Sequence, residues 1–120
     1  MKRLLRVAAA FAALAVALPA LAHAMLERAR PLVGGTVHGA PARVELWFSS
    51  ELEPAFSTIK VVDSAGRQVD KADKALDGQD RRHLVVSLPP LAPGTYRVVW
   101  RVLSLDTHVT EGDFTFDVVP

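Results

Sequence analysis

The sequence predicts an all-β sandwich of about seven short strands with antiparallel pairing. Three observations carry this. Apolar and polar residues alternate with a period of two over residues 43–49, 82–88, 96–102 and 114–118. Turn signals separate these runs: Pro31 to Gly35, Ser64-Ala65-Gly66, Asp77-Gly78, Pro89-Pro90 and Pro93-Gly94. Past the first 22 residues there is almost no helical apolar period.

Residues 1–22 read as a secretory signal. Lys2, Arg3 and Arg6 make a positive start, residues 8–18 form an uncharged apolar run, and Pro19 and Ala20-Leu21-Ala22 follow as a break and a small-residue cleavage site. The run is shorter than the ~20 residues of a membrane span, so a cleaved signal is expected rather than an anchor. Cleavage before His23 leaves 98 of the 120 residues, a single domain. Ala22-His23-Ala24 is a competing site that would discard His23 by cutting before Met25. Export points to a periplasmic or extracellular home, and the chain has no cysteine to make disulfides there.

The signal takes three of the 14 basic residues and none of the 13 acidic ones, leaving the domain at a net charge of about −2. That argues against nucleic acid as a partner, which needs a basic face.

In the domain, residues 25–30 form a short strand and 31–35 a turn. In 43–49, Val44, Leu46 and Phe48 point inward, while Trp47 falls on the polar side as an edge aromatic. Residues 56–63 form a strand with Phe56, Thr58 and Val62 on one face and Ile59 and Val61 close behind. The charged stretch 67–81 reads as a solvated loop with one helical turn near 71–76. Residues 82–88 put Leu84, Val86 and Leu88 inward. Leu91-Ala92-Pro93-Gly94-Thr95-Tyr96 is similar to the tyrosine corner of immunoglobulin-like Greek-key sandwiches. Tyr96, Val98, Trp100 and Val102 share the next inward face, and Phe114, Phe116 and Val118 the last, with Gly112 as a flexible point before it. The expected core is Leu46, Phe48, Leu84, Val86, Tyr96, Val98, Trp100, Phe114, Phe116 and Val118.

The chemistry gathers at two places. Residues 104–116 read SLDTHVTEGDFTF, where Asp106 and His108 are metal-ligand types one residue apart. In extended chain such a pair projects from one face. The spacing alone is weak evidence. The second place is His23: as a first residue its α-amine and ring nitrogen can close a six-membered chelate, which suits a tetragonal Cu(II) ion. His38, in a polar turn, and His83, on the outward face of its strand, read as solvated. Met25 reads as a core methionine rather than a thioether ligand.

Several blocks in order carry a family resemblance: Pro31 and Gly34 in the first turn, VELWFS at 44–49, LAPGTYRVVWR at 91–101, SLDTH at 104–108 and GDFTF at 112–116. With His23 and the signal, the chain resembles the CopC family of periplasmic copper-binding proteins over its whole mature length. The resemblance implies one Cu(II) held by the His23 amine and ring, Asp106 and His108. It implies a monomeric, non-enzymatic copper carrier or buffer in copper homeostasis and resistance, with an inner-membrane copper protein of the CopD type as partner. Ser104 is read as a hydrogen-bonding support within the loop. The 67–81 stretch lacks methionine, and Met25 stands where many members have a second histidine, so Cu(I) binding is not expected. Two other functions fit the same residues: a copper-dependent oxidative enzyme with an N-terminal histidine chelate, and a metal-free immunoglobulin-like binding module.

Overall fold

A computed structural model describes residues 23–120, so the signal reading of residues 1–22 lies outside the described residues. Eight strands form two four-stranded sheets, and the described residues contain no α-helix. One sheet runs β1 (Leu26–Arg30), β3 (Arg43–Phe48), β6 (Asp80–Ser87), β5 (Ala75–Asp77). The other runs β2 (Thr36–His38), β8 (Val109–Val119), β7 (Gly94–Leu103), β4 (Thr58–Val62). The all-β sandwich is therefore as predicted, with one strand more.

The inner faces follow the period-two pattern. Val44, Leu46 and Phe48 of β3 meet Leu84 and Val86 of β6, and across the sandwich Val98 and Val102 of β7 and Phe116 of β8, all buried. Each large apolar member contributes roughly 1.5–3 kcal/mol on burial. Of the expected core only Trp100 is half-buried. Its ring lies over Gly112, its register partner on β8: a Cβ there would stand 2.5 Å from Trp100 Cζ2. Gly112 is thus a seat for an indole rather than a flexible point. The tyrosine corner is present, with the Tyr96 hydroxyl donating to the Ala92 carbonyl at 2.6 Å.

Four expectations are corrected. Pairing is not wholly antiparallel, because β2 runs parallel to β8 through Thr36↔Asp117 and His38↔Val119. Its direction is set by how the chain crosses between sheets, which alternation does not encode. The 67–81 stretch has no helical turn; it supplies β5, which hairpins onto β6 so that Leu76 sits opposite Leu84. Carboxylates from the same stretch accept strand N–H groups, Asp70 from Val61 and Asp73 from Ser87, both at 2.8 Å. Phe56 is exposed in a 3₁₀ turn, Pro54–Phe56, and β4 buries Ile59 and Val61 instead. Trp47 lies on a central strand between β1 and β6, not at an edge.

Candidate metal centre

The centre forms where β7 turns into β8. Ser104 closes the turn: its N–H donates to the His108 carbonyl at 3.0 Å, and Thr107 N–H donates back to Ser104 at 2.9 Å. Thr107 takes φ +72°, in the left-handed region. This brings Asp106 and His108 round to one side. Asp106 Oδ2 lies 3.1 Å from His108 Nδ1, and Asp106 Oδ1 accepts the buried Ser104 hydroxyl. That hydroxyl holds the Asp106 carboxyl below its usual range, with the His108 ring and N–H adding to the effect. Asp106 is therefore a ready anion at neutral pH.

His23 arrives from the opposite end of the sequence. Its ring packs edge-on against His108, with centroids 4.6 Å apart and planes at 81°. The three residues singled out in the sequence are thus gathered at one end of the sandwich. Among the described residues, however, no three imidazole or carboxylate side chains converge tightly enough to hold an ion by themselves. Beside Asp106 a cleft of about 390 Å³, lined by Ser49, Ser50, Glu51, Arg82 and Leu105, leaves this end open to solvent.

Sequence reasoning missed what holds His23 there. Ser49, just past β3, accepts the Met25 N–H at 2.8 Å and donates to the His23 carbonyl at 3.2 Å. Thr110 of β8 donates to the Ala24 carbonyl at 2.7 Å. A lone serine and a lone threonine carry no sequence signal; only the arrangement of the strands brings them to the N-terminal stretch. Met25 is corrected from core to surface, with 59% of it exposed.

His83 is also corrected. It is not solvated but 8% exposed. Its Nε2 lies 3.0 Å from Glu45 Oε1 and its Nδ1 3.2 Å from Asp77 Oδ2. Its ring stacks on Trp47, its register partner, at 4.2 Å and 12°, and the Arg28 guanidinium lies over that same indole, 4.4 Å from its centroid. Both ring nitrogens are engaged, so this histidine is structural. His38 is exposed, as expected.

With this geometry in view, residues 26–119 match the CopC domain. The chain belongs to the CopC family. The crystal structure of CopC from Methylosinus trichosporium OB3b is 38% identical, with a TM-score of 0.77, covering 82% of this chain and 95% of that one. PcoC, described as a methionine-rich copper resistance protein from Escherichia coli, is 34% identical with a TM-score of 0.72, covering 82% of this chain and all of that one. The copper transport protein CutJ of Bacillus subtilis is 34% identical over 99 residues, which are 81% of this chain but 18% of CutJ. Unlike a methionine-rich relative, this chain has two methionines in all, Met1 and Met25.

Proposed function

We propose that this chain is an exported Cu(II)-binding protein that carries or buffers copper outside the cytoplasm. Membership in a family whose relatives bear copper resistance and copper transport names supports the copper-handling role. The single observation behind the Cu(II) assignment is the meeting of His23 with His108 and Asp106 at the β7–β8 turn. In the chain cut before His23, the ligands are the His23 α-amine and ring, Asp106 and His108. Three nitrogens and one carboxylate oxygen favour a tetragonal Cu(II), which also heads the divalent affinity order; Zn(II) prefers a tetrahedral set. One ion binds per chain, and the only candidate sulfur, Met25, is too little supported to make a Cu(I) site.

The four-donor set, with Asp106 in one position, favours holding copper over oxygen chemistry. Delivery goes to a membrane copper protein of the CopD type in the periplasm. Support comes from CutJ, where a segment like this chain is a minor part of one larger copper transport protein. The test is a Cu(II) competition titration with electron paramagnetic resonance on the chain beginning at His23, alongside Asp106→Ala and His108→Ala. One tightly held tetragonal ion with nitrogen hyperfine coupling, lost or weakened in both variants, is expected. Unchanged spectra and affinity in His108→Ala exclude it as a ligand. Sustained oxygen-dependent turnover with a reductant overturns the carrier reading.

A further inference from the structure

We propose that Ser49 and Thr110 are positioning residues that set the register of the N-terminal metal grip, a role that rests on the copper reading above. Their hydroxyl hydrogen bonds go only to main-chain atoms of residues 23–25: Ser49 to the His23 carbonyl and Met25 N–H, Thr110 to the Ala24 carbonyl. Ser49 follows a strand of one sheet and Thr110 stands in a strand of the other. The stretch before β1 is therefore clamped between the two sheets, one hydroxyl from each. Ser49 N–H also donates to the Met25 carbonyl at 2.8 Å, so Ser49 holds Met25 through both its N–H and its carbonyl.

Between the two clamped carbonyls, Ala24 is 1% exposed within the core cluster. A buried Ala24 with fixed neighbours counts the register. The residue immediately before it is the one delivered beside His108, with ring centroids 4.6 Å apart. Because the clamp reads backbone rather than side chain, it fixes where the His23 nitrogen stands whatever the ring does.

The energetic point concerns order. A free chain end loses roughly 1–2 kcal/mol per residue when its backbone is fixed. If that ordering accompanied metal binding, it would weaken a grip that depends on an α-amine. With residues 23–25 held beforehand, it is met in folding, and the metal finds a prepared donor. The hydroxyls touch no proposed metal-ligating atom, so they act on affinity through position alone.

The experiment uses the chain beginning at His23, with its start confirmed by intact mass, and the variants S49A, T110V and T110S. Backbone ¹⁵N relaxation of residues 24–26 is measured without metal, and Cu(II) affinity by competition. Loss of one neutral hydrogen bond corresponds to a fall of about fivefold in affinity. T110V is expected to show that fall and S49A, which removes two such bonds, at least as large a one, both with lower order at residues 24–26 in the metal-free protein and an unchanged Cu(II) spin-resonance spectrum. T110S, which keeps the hydroxyl, is expected to recover both affinity and order. Wild-type affinity and wild-type N-terminal order in S49A and T110V overturn the clamp. Equal losses in T110S and T110V overturn it too, since the hydroxyl is then not the cause. Failure of the wild-type chain to hold Cu(II) overturns the copper reading instead, and the metal-free relaxation data still decide whether the clamp exists.

Discussion

A carboxylate that takes up a metal ion has to be ionised, and at Asp106 one neighbour extends the ionised range further into acid. The Ser104 hydroxyl, buried beneath the turn, is the main cause of the lowered Asp106 carboxyl. Ser104→Ala is expected to raise that carboxyl toward its ordinary value, measured by carboxyl ¹³C chemical shift against pH in the metal-free protein; an unmoved titration contradicts the assignment. His108→Ala is expected to weaken Cu(II) by at least about 10-fold, because removing a ligand costs no less than removing its hydrogen-bond support. Its melting temperature should stay near wild type, since His108 is an exposed turn residue. At this scale the sequence was informative where residue type is diagnostic. A histidine at an expected cleavage site and an aspartate two residues before a histidine stand out. Ser49 and Thr110 do not, because a hydroxyl gains its meaning from what the fold sets opposite it. His83 was misread for the same reason: its partners Glu45 and Asp77 come from two other strands, one of which, β5, has only three residues and a weak pattern.

The strands themselves were legible wherever large apolar residues alternate, as in β3, β6, β7 and β8, since a half-buried sheet imposes that period. Pairing was not, because β2 and β5 gain their stability from neighbours rather than from their own three residues. Two consequences belong to the elements. Across β7 and β8, Gly112→Ala sets a methyl into the Trp100 ring, and overpacking of this kind costs about 1–3 kcal/mol. Lower stability with altered tryptophan emission is expected; an unchanged denaturation midpoint contradicts the packing described. On the outer face of the other sheet, Asp77 is held below its usual range chiefly by the Gln79 N–H and then by His83. A carboxyl lowered by folding contributes stability above its unfolded value, and that contribution is lost as pH falls through the lowered folded value. Asp77→Asn is therefore expected to flatten the acid limb of the stability curve, read by urea unfolding at successive pH values below about 5. A limb as steep as in wild type contradicts it.

For the molecule as a whole, the fold joins the two ends of the sequence. β1 carries the chain start along one sheet, the β7–β8 turn projects from the other, and the N-terminal stretch crosses between them. On the copper reading, binding is then coupled to folding, so Cu(II) at 100 times its Kd should add about 2.7 kcal/mol of stability. Acid should release the ion, because protons compete with the metal for the imidazole and amine nitrogens. The central claim is that the metal is gripped by a free amine at His23. Its most direct measurement is a Cu(II) competition titration on two chains, one beginning at His23 and one carrying a single extra residue before it. The account predicts that the first binds one ion tightly and the second, whose His23 nitrogen is an amide, binds far more weakly. Equal binding by both chains would contradict it and leave Asp106 and His108 without the N-terminal chelate.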